Sequence, residues 1–288
     1  MGPVFALGVA LNLGFVLVEA GFGVVGHSVA LIADAGHNLG DVLGLAIAWG
    51  AAALARRRPS HRYTYGLRSS SILAALFNAV VLLIAVGAIA VEAIDRLRHP
   101  APVATGIVMV VALIGIAINI GTALGFMSGR ATDLNVRGAF VHMLGDAAAS
   151  AGVVITGLVI GATGWLWLDP AVSLALVALI TVGSWGLLRD SINLALDAVP
   201  AGIDPTAVRE YLASLAGVSE VHDLHIWGLS TTQVALTAHL VVPVEGNVDR
   251  LLTDTCAQLR ERFHIDHATI QIEHGTVAPC ALAPADVV

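Results

Sequence analysis

The chain has 288 residues, of which 57% are hydrophobic and only 12% charged, with a mean hydropathy of +0.85. Soluble domains carry roughly 25% charged residues, so this composition excludes an ordinary soluble enzyme and describes a chain built largely in a bilayer. The formal charge of −7 comes from 21 acidic and 14 basic residues, and all of the basic ones are arginine, so their placement says more than their sum.

Taken in chain order, six apolar runs are long enough to cross a membrane as helices, which takes about 20 residues. They span about residues 4–25, 29–55, 70–94, 103–127, 136–161 and 170–193. No cleavable leader is expected, because the first run begins beside Met1 without a basic segment before it. Arg56, Arg57, Arg58, Arg62 and Arg68 surround the second loop, Arg130 and Arg137 the fourth, and Arg189 lies near the end of the sixth run. Only Arg96 and Arg98 fall on the other side. Arginine collects in cytoplasmic loops, so both termini are expected in the cytoplasm.

After Asp197 to Gly202 the texture becomes mixed in polarity. A helix is expected over 204–216, strands in "SEVHDLHIWGLS" and "QVALTAHLVV", a second helix over 247–264, and a closing strand in "ATIQIE". The expected fold is an α-helical membrane protein: a six-helix bundle over 1–199, a C-terminal α+β ferredoxin-like domain over 200–276, and an unstructured tail over 277–288. Cys256 and Cys280 are too few for a disulfide framework and too far apart for a CxxC motif.

The second run carries charge where the chain should be oily. His37 and Asp41 stand four apart and so share one helix face; the fifth run repeats the device with His142 and Asp146. One such pair alone reads as an interhelical hydrogen bond. Intramembrane ionisable groups cost about 2.5 to 3.5 kcal/mol each on insertion scales, and a matched second pair argues for a joint task. Two nitrogens and two oxygens from facing helices suit a tetrahedral divalent ion, best matched by Zn²⁺. Without the ion two carboxylates would draw in protons, so metal and protons compete for one site. Asp34 is expected to make an interhelical charge contact. Asn12, Glu19, Asn38 and Asn119 either line the same cavity or satisfy structural hydrogen bonds, and His27 and His99 read as interfacial.

These residues resemble the cation diffusion facilitator family of zinc transporters over nearly the whole chain. The resemblance is carried by "SVALIADAGHNLGDVLGL", "RYTYGLRSSSILAALFNAVVLL", "LNVRGAFVHMLGDAAASAGVV", "DPAVSLALVALI", "VHDLHIW" and "HATIQIE". It implies a six-helix homodimer with a cytoplasmic metallochaperone-like domain that exchanges cytoplasmic zinc for protons. It also maps the transport ligands onto His37, Asp41, His142 and Asp146. A further metal site that some members carry after the second span is not expected, since Tyr63, Leu67 and Ser71 occupy its positions and only His61 remains. The histidine-rich loop of other members is absent from "SGRATDLNVR".

Six of the eleven histidines fall in the C-terminal domain. There the resemblance implies a regulatory zinc site from His222 or His225, His239, Asp266 or His267, and Glu273, joined by His274 or Cys280; surface histidines without metal are the plainer reading. On strand geometry His225 could face His239, while the face of His222 stays open. The resulting expectation is a zinc/proton antiporter of the inner membrane that exports cytoplasmic Zn²⁺, with divalent ions, protons, lipid and a second copy as partners and no nucleic acid. The arginine-rich second loop sets topology and touches either the soluble domain or anionic lipid. Other cargoes are Cd²⁺, Co²⁺, Fe²⁺ and Mn²⁺, the last disfavoured by nitrogen ligands. Two rivals are a zinc sensor without transport and an intramembrane metalloenzyme, the latter disfavoured because HExxH is missing and no Glu sits beside either His.

Overall fold

The computed structural model describes residues 3–55, 57–126, 134–243, 248–274 and 280; side chains are described from residue 13 onward, except 41, 43–49, 52, 55 and 134–142. Six long helices come first: α1 (Pro3–Val25), α2 (Val29–Ala55), α3 (Ser70–Arg98), α4 (Thr105–Phe126), α5 (Leu134–Thr163) and α6 (Leu168–Ala195). They coincide with the six apolar runs to within a few residues. Among the described residues, α3, α4, α6 and the Met143–Thr163 part of α5 are long and apolar enough to cross a membrane. The chain separates into two compact units, one of residues 1–47 and 77–187 and another of residues 48–76 and 188–288.

In the first unit, α4 and α5 lie side by side, and α1 lies against α4. Their shared core gathers Phe15, Leu31, Val108, Val111, Ala112 and Val153. Small residues set the spacing: a methyl on Gly115 would stand 2.7 Å from the Phe15 ring, and one on Gly157 would stand 2.7 Å from Met109 Cγ. Close approach of this kind replaces the hydrophobic effect as the glue between helices in lipid. The turn from α1 to α2 passes through His27 at φ +54°. At its end the Asp169 carboxylate, in the first turn of α6, accepts hydrogen bonds from Ser28 Oγ and from Val29 N, the latter at 2.8 Å. Ser28 and Asp169 are both buried, so a side chain from α6 satisfies orphan donors at the start of α2.

In the second unit the order is α7 (Pro205–Ala213), β1 (Glu220–Gly228), β2 (Val234–Val241), α8 (Val248–Phe263) and β3 (His267–Glu273). Asp204 caps α7 by accepting from Thr206 N at 2.8 Å, and Pro205 takes the first helical position. The sheet order is β1-β2-β3, antiparallel between β1 and β2 and parallel between β2 and β3. β2 is central and largely apolar, as a strand buried on both sides requires. Its Leu236, Ala238 and Leu240 pack with Val208 and Leu212 of α7, Leu259 of α8 and Ile265. All five elements expected from the sequence are present in the expected order.

The segment between α2 and α3 docks within this unit. Arg68 Nη1 donates to Gln233 Oε1 at 2.8 Å, Thr231 N donates to Ser71 Oγ at 3.1 Å, and the Tyr65 ring meets His267 edge-on at 5.6 Å. The loop thus touches the soluble domain.

Leu236 is fully buried, so Leu236→Ala should cost about 2–5 kcal/mol. Hydrogen exchange of the full chain, followed by mass spectrometry, should show faster exchange across β1, β2 and β3 while α4 and α5 are unchanged.

Candidate functional site

α2 and α5 bring His37 and Asp146 together, with His37 Nε2 3.8 Å from Asp146 Oδ1. Both line a cavity of about 410 Å³, together with Asp34, Asn78, Leu82, Ala149, Ile180 and Ser184. Asp146 is buried and His37 half-buried. The side chains of Asp41 and His142 lie outside the described residues. A nitrogen and a carboxylate oxygen from two helices thus share one largely apolar pocket.

A second polar layer adjoins this pocket. Asp34 Oδ2 accepts from Ser150 Oγ of α5 at 2.8 Å, and Asn38 Nδ2 donates to Glu19 Oε2 of α1 at 3.3 Å. Asp34 therefore joins α2 to α5 through a hydroxyl. Ser150 carried no periodic signal that would have singled it out. Asn119 is buried on α4, and the Asn12 side chain lies outside the described residues. Gly40 lets α2 approach α3 closely, since a methyl there would stand 2.5 Å from Leu82 Cδ1.

In the C-terminal domain, His222, His239, Glu273 and Cys280 offer ligand atoms that all lie within 4.8 Å of one another. The register pairs His222 with His239 across β1 and β2, and their rings meet edge-on at 5.2 Å. A bulge between His222 and His225, with Asp223 at φ +49°, shifts the pairing so that His225 lies opposite Thr237. His225 therefore does not face His239. A bulge breaks the two-residue alternation on which the sequence reading relied, and aspartate is among the few residues that tolerate the left-handed region.

Glu273 Oε1 lies 3.0 Å from His239 Nδ1 and 3.5 Å from His222 Nε2. Cys280 Sγ is 3.6 Å from His239 Nδ1. Burial pushes the Glu273 carboxyl up, but the Cys280 hydrogen bond and the His222 and His239 charges outweigh it and hold the group below the usual carboxylate range. It is thus an ionised oxygen donor at neutral pH. Asp223 was not anticipated: its Oδ2 is 3.4 Å from His239 Nε2 and its Oδ1 2.9 Å from His225 Nε2. It holds the ring nitrogen that points away from Glu273, the role a carboxylate plays behind a metal-bound imidazole.

The remaining candidates stand elsewhere. Asp266 lies near Val234 N at 3.4 Å and Arg260 Nε at 3.8 Å, His267 lies against Tyr65, and His274 Nδ1 lies 2.9 Å from Val242 O. His61, in the loop after α2, is exposed.

Residues 5–194 match the cation efflux transmembrane domain, and residues 200–275 match the cytoplasmic domain of cation efflux proteins. The chain belongs to the cation diffusion facilitator family. The cation efflux system protein CzcD of Alcaligenes sp. (strain CT14) is 36% identical over 97% of this chain and 88% of its own length. The zinc transporter ZitB of Escherichia coli is 37% identical over 96% of this chain and 87% of its own. A cadmium, cobalt and zinc/H⁺-K⁺ antiporter of Bacillus velezensis is 35% identical over 90% of this chain and 84% of its own. This cation diffusion facilitator is a multi-pass membrane transporter whose substrates are divalent metal cations.

For the facilitator's membrane unit, Gly40→Ala should overpack the α2–α3 contact at a cost of about 1–3 kcal/mol. Thermal unfolding of the detergent-solubilised chain should register the loss, and Leu82→Ala in the same chain should recover part of it.

Proposed function

We propose that this facilitator exports cytoplasmic Zn²⁺ across the inner membrane in exchange for protons, binding the ion with His37, Asp41, His142 and Asp146. The observation that carries this reading is the approach of His37 Nε2 to Asp146 Oδ1 at 3.8 Å, across two helices and in the wall of a cavity that Asp34 also lines. Ligand atoms around a tetrahedral Zn²⁺ with bonds of 2.0 to 2.2 Å stand roughly 3.3 to 3.6 Å apart, so a small adjustment brings this pair to coordination distance. Residues 1–199 form the transport domain, with both termini in the cytoplasm as the arginine placement requires.

The ion must lose its hydration shell to enter the cavity, and two carboxylates with two imidazoles replace it. Ionised carboxylates and neutral imidazoles are the binding forms, so zinc uptake from the cytoplasm displaces protons and proton uptake from the other side favours zinc release. Rocking of the helices around a fixed midplane site would alternate its exposure. The names of the relatives support zinc and, in one group, cadmium and cobalt. Cd²⁺ and Co²⁺ are therefore the alternative cargoes favoured here.

The C-terminal domain, residues 200–276, is the dimerisation and metal-binding module of a homodimer. His222 Nδ1 and Nε2 are buried without a hydrogen-bond partner, which costs stability unless something binds them. A Zn²⁺ held by His222, His239, Glu273 and Cys280 would take up one of these two nitrogens, with a donor set that fits the ion. Filling this site from the cytoplasm would tighten the dimer.

In proteoliposomes under an imposed pH gradient, the wild-type chain should take up zinc with coupled proton movement. Asp146→Ala should lower the initial rate by at least tenfold; equal flux would discard the membrane site, and flux without proton movement would leave a channel. Separately, Co²⁺ added to the full chain should give a thiolate-to-metal charge-transfer absorption that Cys280→Ser removes.

A further inference from the structure

Two buried carboxyl groups beside the cavity have no place in the metal quartet. Glu19 of α1 is 0% exposed and Asp34 of α2 is 1% exposed. The two carboxyls lie within hydrogen-bonding reach of each other. Each has one oxygen satisfied, Glu19 Oε2 by Asn38 Nδ2 at 3.3 Å and Asp34 Oδ2 by Ser150 Oγ at 2.8 Å. The other two oxygens, Glu19 Oε1 and Asp34 Oδ1, are buried with no donor at all.

Counting donors and acceptors identifies what is missing. Ionised carboxylates only accept hydrogen bonds, so two of them cannot bond to each other, and each naked buried oxygen carries its full desolvation cost. One proton changes both facts: it converts one carboxylate to a donor, satisfies the facing acceptor, and reduces the charge of the pair from −2 to −1. The same logic makes closely paired carboxyls share a proton elsewhere. Among the described residues, no lysine or arginine acts on the pair instead. The titratable groups that act on the pair are His37 on α2 and Asp146 on α5, and the polar side chain buried on α4 is the neutral amide of Asn119.

We propose that Glu19 and Asp34 form a proton-binding site, separate from the metal ligands, that exchanges its proton with the transport cavity through Asp34. The route is given by geometry: Glu19 is sealed, whereas Asp34 is both its partner and a wall of the 410 Å³ cavity. When the proton leaves it passes to cavity water as hydronium and both carboxylates remain, a state that a cation in the cavity would offset. The facilitator therefore carries a proton at a place that metal never occupies. A part of its proton coupling then survives changes to the metal ligands. This inference adds a second protonatable site to the proposed antiport but does not require that zinc be the cargo.

Infrared spectroscopy of the metal-free, purified full chain at neutral pH tests it without any transport measurement. The wild type should show a protonated-carboxyl C=O stretch that shifts on transfer to D₂O. Glu19→Gln, which keeps the shape of the protonated acid and offers an N–H to Asp34, should remain folded and lose the band. Asp34→Asn should lose it independently, and Asp146→Ala should keep it. A wild type without the band, or a band that survives both substitutions, overturns the site; a band that never shifts in D₂O overturns the exchange. Failure of zinc transport in liposomes would leave this result standing, and loss of the band would leave the metal quartet standing.

Discussion

Ionised groups cannot remain bare inside a membrane, and the first unit is arranged around that cost. A charge at the bilayer centre is unfavourable by several kcal/mol unless a partner or water offsets it. Each described ionisable group in the interior meets such a partner from another helix. Asp169 of α6 holds the start of α2, Asp34 of α2 holds Ser150 of α5, Asn38 of α2 reaches Glu19 of α1, and His37 stands opposite Asp146. These links all involve α2 or its first turn. The helix that carries the clearest metal-ligand spacing is also the one tied most heavily to its neighbours, as a site held to close tolerance requires.

The cytoplasmic domain solves a different problem with the same chemistry. Water is at hand there, so polar side chains can gather at the end of a small sheet. Cross-strand pairing puts His222 beside His239, the parallel partner strand ends in Glu273, and Cys280 comes from the segment that follows. Asp223, set in a bulge, fixes the far side of the His239 ring. Imidazole, carboxylate and thiol together make a softer donor set than imidazole and carboxylate alone.

The helices were legible because twenty or so apolar residues in a row have few other uses, and the strands because alternation and turn residues bracket them. His37 and Asp146 stood out because charge is rare in such runs. The contacts that position them did not. Ser150, Ser28 and Gly40 are ordinary in a membrane helix, and nothing in their spacing says which neighbour they will meet. The pairing of His222 rather than His225 with His239 turned on one bulge, which shifts a register without leaving a pattern in the sequence. Cys280 was legible only as an added candidate, because strand spacing places no residue beyond the end of β3.

Zinc-edge X-ray absorption on the full chain bearing His222→Ala and Cys280→Ser, loaded with one equivalent of Zn²⁺, would test the membrane site most directly. The account predicts a four-coordinate shell of nitrogen and oxygen with imidazole scattering that diminishes when His37 is replaced by alanine. A six-coordinate shell of oxygen alone, or a spectrum indifferent to His37, would contradict it.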